Sequence, residues 1–179
     1  MYKVVTTKSF AKALSRLPVN RQKRILEKIK AVAADPYASH NNVTKLQGRD
    51  GYRLRIGEWR VIYELHDDRL ELWVVEVLGA RDGNAEMLAD VKAYDAAKAR
   101  LESAEDELIP LEITERRLSG EPALRIWREY RKLTQERLAK RAKVPRALIA
   151  AIETKRKAAS VSTWKKLGAA LDVSWEQLT

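Results

Sequence analysis

Apolar and basic positions alternate most clearly in the stretch YRLRIGEWRVIYEL, residues 52–65. Period-two alternation on either side of Gly57-Glu58 predicts two strands joined by a two-residue turn. That turn sets Ile56 opposite Trp59, Arg55 opposite Arg60, and Arg53 opposite Ile62. Opposed residues share a face, so Arg53, Arg55 and Arg60 gather on one side of the ribbon. Leu54, Ile56, Trp59, Val61, Tyr63 and Leu65 supply the other, core-forming side. A further strand, Leu70 to Leu78, follows through His66-Asp67-Asp68-Arg69. Upstream, Tyr2 to Thr6 reads as a strand. Ser9 to Leu17 and Val19 to Ala34 read as helices, because Phe10, Ala13, Leu14 and Leu17, then Ile25, Leu26, Ile29, Val32 and Ala33, recur at helical spacing. Pro18 and Asp35-Pro36 end them. The pattern predicts an α+β fold: a small antiparallel sheet with two N-terminal helices on one side.

Downstream the period changes. Residues 87–108 are rich in Ala, Glu, Lys and Arg, a strong helix former with a thin apolar stripe at Leu88, Val91, Leu101 and Leu108. Pro110 interrupts it, a short helical turn over Thr114 to Ser119 ends at Gly120, and Pro122 opens the next helix, where proline is tolerated. From there to Leu178 the chain reads as four or five short helices. Thr134, Ser160 or Ser162, and Ser174 are the N-cap candidates. The expected domains are 1–86, a helical connector over 87–120, and an all-α unit over 121–179.

Charge follows the same division. Of 179 residues, 1–86 hold 16 Lys and Arg against 11 Asp and Glu, 87–120 hold 5 against 8, and 121–179 hold 14 against 6. The order basic, acidic, basic, with a net charge of +10, points to polyanionic partners. Zero cysteines exclude disulfides, thiolate metal sites and cysteine nucleophiles. His40 and His66 stand alone, in a polar loop and at a strand turn, so neither metal nor cofactor is expected. With no apolar run near the eighteen or so residues that span a bilayer, the expected location is cytoplasmic, away from membranes.

Like charges directly across a hairpin cost some tenths of a kcal/mol. A bridging anion offsets that cost; the alternative is pairing with Glu64, Glu76 or Asp82 at the surface. The run from Lys45 to Leu65, with Tyr52 to Leu65 at its end, and then LWVVEVLGAR at 72–81, resembles the RelE/ParE superfamily of toxins over roughly residues 2–86. The resemblance implies a ribosome-dependent mRNA endonuclease on the RelE branch or a gyrase poison on the ParE branch. On the nuclease branch it assigns the catalytic cluster to Arg53, Arg55, Arg60 and Arg81. Guanidinium groups there stabilise the charge that builds on phosphate during 2′-hydroxyl attack, without a metal. The family often has a proton-carrying tyrosine or histidine about six residues beyond the arginine that matches Arg81, and here Met87 stands in that place. Arginine is a poor general base, so enzyme activity stays open, with Glu86, Tyr52 and Tyr94 as substitutes.

The segment from Leu133 to Leu178 resembles a Cro/repressor-type helix-turn-helix domain. Thr134 would cap its second helix, with Val144 to Glu153 as the recognition helix. Ile149, Ile152, Leu138, Leu167 and Leu171 would face the core. The resemblance places Gln135 near a phosphate, Arg146, Ala147, Ala150 and Ala151 toward the groove, and Lys155, Arg156 and Lys157 on phosphates beyond the helix. Lys143 occupies the turn position where the family has glycine, a left-handed site that costs a lysine about 1 kcal/mol.

The order of segments resembles a toxin and its antitoxin written as one chain. On that reading Glu102, Glu105, Asp106 and Glu107 of the connector neutralise the arginines at an effective concentration around millimolar, and operator DNA is bound by a homodimer for autoregulation. Ribosome-bound mRNA would be the other partner. The alternative is a DNA-binding regulator whose RelE-like part is a catalytically inactive scaffold.

Overall fold

The computed structural model describes residues 1–79 and 84–178. The chain divides into two compact units, Met1–Leu111 and Glu112–Thr179.

The first unit is built on a six-stranded sheet. It comprises β1 (Lys3–Thr7), β2 (Val43–Lys45), β3 (Gly51–Ile56), β4 (Trp59–His66), β5 (Glu71–Leu78) and β6 (Leu108–Pro110), in the order β2-β3-β4-β5-β1-β6. All neighbours pair antiparallel except β1 with β5, which run parallel. The hairpin register is the expected one: Ile56 opposite Trp59, Arg55 opposite Arg60, Arg53 opposite Ile62. Gly57 takes φ +61 in the turn, a conformation that glycine adopts without strain.

α1 (Lys8–Ser15) follows β1 directly. Thr7 caps it, its hydroxyl accepting from Phe10 N while donating to the Val75 carbonyl at 2.9 Å. With α2 (Val19–Ala34) it buries Phe10, Leu14, Ile25, Ile29 and Val32. On the same side Leu54, Ile56, Val61 and Tyr63 leave solvent.

The second face of the sheet is covered too. α3 (Asn84–Glu102) packs on β4 and β5. Leu46, Ile62, Val75, Tyr94 and Ala97 form a separate buried cluster there, edged by Leu78 and Leu101. The sequence placed helices on one side only, since α3 carries so faint an apolar stripe. Its inward residues are Glu86, Asp90, Tyr94, Ala97 and Leu101, three or four apart, whereas Leu88 is 58% exposed. Gly51 lets the helix come this close: a Cβ there would lie 2.7 Å from the Tyr94 ring. β6 then adds to the sheet beside β1.

The second unit is helical: α4 (Leu111–Leu118), α5 (Ala123–Tyr130), α6 (Gln135–Ala142), α7 (Arg146–Glu153), α8 (Val161–Leu171) and a 3-10 turn at Trp175–Gln177. Thr134 caps α6 through Arg137 N and Ser160 caps α8 through Thr163 N. Trp127, Leu124, Ile126, Leu138, Ile149, Leu167 and Leu171 fill its core.

Candidate functional site

Arg53 and Arg55 on β3 and Arg60 on β4 occupy the sheet face that α3 covers. Arg60 is nearly enclosed, 2% exposed, and the first turns of α3 bring two carboxylates to it. Glu86 Oε1 lies 2.8 Å from Arg60 Nη1, and Asp90 Oδ1 lies 3.1 Å from Arg60 Nε. Arg53 Nη1 donates to Asp90 Oδ2 at 3.3 Å and stands 4.0 Å from Glu86. At Arg60 Nε and Nη1 the contact is ionic, with neither nitrogen aligned for a hydrogen bond. Arg55 is exposed, and among the described residues no carboxylate pairs with it. Three cations therefore meet two anions, leaving one positive charge toward solvent.

The two acids sit in different surroundings. The Arg60 guanidinium holds the Glu86 carboxyl below its usual range. Burial pushes the Asp90 carboxyl up, against the pull of Arg60 and Arg53. Removing one member of such an enclosed pair costs roughly 3–5 kcal/mol, because the remaining charge is stranded.

The connector acids expected at the arginines lie elsewhere. Glu102 and Glu105 are exposed. Asp106 accepts from Lys8 N at 2.9 Å and Ser9 N at 3.3 Å, meeting the free amides at the start of α1. Glu107 pairs with Lys8 at 3.5 Å. Asp106 also stands 4.0 Å from Arg100, beside the Arg100–Glu76 pair. Arg81 lies outside the described residues.

Of the groups considered for proton transfer, Tyr52 stacks on Tyr63, ring centroids 5.4 Å apart, on the side away from the arginines. Tyr94 is buried in the α3 stripe, and burial, with Glu64 nearby, pushes its hydroxyl up to about 12. Met87 is exposed. His66 stacks on Trp73 at 3.7 Å and stands 3.4 Å from Glu64, while His40 contacts the Asp35 carbonyl. Among the described residues no group of three His, Asp or Glu is placed to hold a metal ion.

In the second unit, α6 and α7 meet through a turn in which Lys143 takes φ 54, ψ 47. Pro145 leads into α7. Arg146 and Ala147 are exposed, Ala150 and Ala151 half-buried, and Lys155, Arg156 and Lys157 exposed beyond the helix. Lys155 is itself left-handed at φ 56, and its Nζ donates to the Gly120 carbonyl at 2.8 Å. Gln135 Nε2 donates to Glu153 at 2.9 Å. Glu153, 7% exposed, also takes a two-pronged bond from Arg128 at 2.6 and 2.9 Å. Through it, α5 and the start of α6 hold the end of α7.

Asp90 and Glu153 were not recognised in the sequence. Asp90 had a signal: the spacing 86, 90, 94, 97, 101 puts two acids in line with Tyr94, Ala97 and Leu101. Glu153 had none, since its partner Arg128 lies 25 residues away.

Residues 4–83 match the family described as the ParE toxin of the type II toxin-antitoxin system parDE. Residues 124–178 match the helix-turn-helix family. No curated protein matches the chain. Among solved structures, it is similar to the archaeal RelE-RelB complex from Pyrococcus horikoshii OT3, at 29% identity over 46% of this chain and 98% of that one, with a TM-score of 0.42. It is similar to the intact E. coli RelBE toxin-antitoxin complex at 21% identity, over 46% of this chain and 100% of that one, with a TM-score of 0.40. For the RelBE2 complex of Mycobacterium tuberculosis the identity is 19%, over 45% and 98%, with a TM-score of 0.39. The chain thus joins a segment that matches the ParE toxin family to one that matches the helix-turn-helix family.

Proposed function

We propose that this chain is a single-polypeptide toxin-antitoxin fusion in which α3 covers the arginines of its own toxin domain and the C-terminal unit binds operator DNA as a homodimer. The observation that carries the reading is Arg60 enclosed between Glu86 and Asp90, with Arg53 on the same Asp90. A phosphate approaching this face needs the same guanidinium groups that the two carboxylates occupy. Arg55, exposed and without a carboxylate partner among the described residues, is the guanidinium that α3 leaves open to an oxyanion. Once uncovered, Arg53, Arg55 and Arg60, with Arg81, would stabilise charge on a ribosome-bound mRNA phosphate during 2′-hydroxyl attack. Arginines bind the phosphate but stay protonated at neutral pH and so neither take up nor release the proton that cutting moves. Cutting therefore depends on a proton carrier separate from the arginines and from the two acids that cover them.

The domain roles follow: residues 1–86 as the toxin part, 87–120 as a connector continuing the cover begun by Glu86, and 121–179 as the operator-binding part. In the last, Arg146, Ala147 and Ala150 would meet the major groove, and Arg156 and Lys157 the phosphates.

A second reading, a DNA-binding regulator with an inert toxin-like scaffold, is favoured by the near-complete burial of Arg60, which suits a structural ion pair. One experiment separates them. The full-length double variant Glu86→Gln/Asp90→Asn is expected to arrest growth and to cut mRNA on ribosomes, and adding Arg55→Ala, at an exposed position, is expected to restore growth. A folded double variant that leaves growth untouched overturns the fusion reading in favour of the inert scaffold.

A further inference from the structure

Beside Lys157, which the DNA reading assigns to a phosphate, the second unit contains a cleft of about 430 Å³ whose apolar walls and Arg117 that reading leaves without a role. Its walls are the connector between α4 and α5, the loop after α7, and the start of α8, with Leu124, Ile152, Trp164 and Leu178 as apolar lining. Three cations reach it: Arg117, Lys155 and Lys157. Arg117 is the unusual member, because it is half-buried and, among the described residues, no carboxylate pairs with it. Among the described residues the one acid on the cleft wall, Glu121, is already held by Arg116, whose Nε donates to it at 2.7 Å. Burial without a partner lowers the hold of the Arg117 guanidinium on its proton.

We infer that this cleft is a binding site for a small amphipathic anion: a carboxylate, sulfonate or phosphate ester carrying an aromatic or branched apolar body. Its size is that of a small-molecule pocket. The chemistry is complementary on both counts, since Trp164, Leu124 and Ile152 receive the apolar body while Arg117 receives the charge. A neutral ligand would leave the guanidinium uncompensated. A polyanion would find too little room on the apolar floor.

The probe is 8-anilinonaphthalene-1-sulfonate, an aromatic sulfonate whose fluorescence rises on transfer from water to an apolar site. Titrated against the full chain, it is expected to bind saturably with one equivalent per chain. Arg117→Gln is expected to weaken that binding about tenfold, the worth of one charge-assisted bond. Ala158→Glu, which sets a carboxylate on the cleft wall, is expected to weaken it as well, and Lys165→Gln on the exposed part of α8 to leave it unchanged. Thermal melts of each variant show whether the fold is kept. Wild-type affinity in a folded Arg117→Gln variant, or equal loss in Lys165→Gln, overturns the site, as does the absence of saturable binding to the wild-type chain.

Discussion

Lys143 shows how a single residue reports the backbone it must serve. It sits at φ 54, ψ 47 between α6 and α7, a region where a side chain bearing a Cβ is crowded against the following carbonyl. Replacing it with glycine removes that crowding but gives the unfolded chain more freedom. The balance is expected to favour the Lys143→Gly variant by about 0.5–1 kcal/mol, a rise of a few degrees in the melting temperature of the second unit, measured by thermal denaturation. This position was legible in the sequence, because a helix-turn-helix demands a left-handed residue at its turn whatever residue supplies it. Hairpin register was legible for the same reason: Gly57-Glu58 admits one short turn, and the turn fixes every pair behind it. Side-chain partnership was not. Arg60 read as one of three clustered cations that call for an anion, but alternation gives only the face of a strand residue and did not show that Glu86 and Asp90, rather than Glu102 to Glu107, lie over it.

At the scale of elements, α3 is the part of the fold that sequence reading placed least well. Its length and composition marked it as a helix that needed a surface, but Leu88 and Val91 drew attention to the wrong side. The seated side carries acids at two of five positions, Glu86 and Asp90, followed by Tyr94, Ala97 and Leu101. Only the geometry of the sheet, with arginines at one end and Ile62 and Val75 beyond, makes such a mixed face the complementary one. The seating has a pH dependence whose sign follows from Glu86. Its carboxyl is held below the usual range by Arg60, so it contributes stability above the ordinary glutamate value of about 4.3, and that contribution is lost as pH falls through the depressed value. Glu86→Gln lacks the contribution at every pH. The difference in melting temperature between wild type and Glu86→Gln is therefore expected to be largest near neutrality and to vanish in strong acid. A difference that persists at pH 2 would show that Glu86 supports α3 by something other than its charge.

For the molecule as a whole, charge is distributed by task. Residues 121–179 hold 14 Lys and Arg against 6 Asp and Glu, and several of these cations face solvent around α7. On duplex DNA, Arg146→Ala is expected to reduce discrimination between sequences, while Lys157→Ala is expected to lower the slope of log affinity against log salt by about 1 without changing preference. Lys155→Ala is expected to move the slope less, because its Nζ is engaged by the Gly120 carbonyl. Equal losses on all sequences from Arg146→Ala would remove it from base reading. The same molecule keeps its arginine face and α3 within one compact unit, Met1–Leu111. Two separate chains would exchange that contact according to their concentrations. Here the stoichiometry is locked at one to one by the peptide bond, so the covered fraction is the same in a dilute extract as in a crowded cell. Dilution and unequal synthesis leave it unchanged; only a competitor for the guanidinium groups, a change of charge on the two acids, or a cut in the chain alters it.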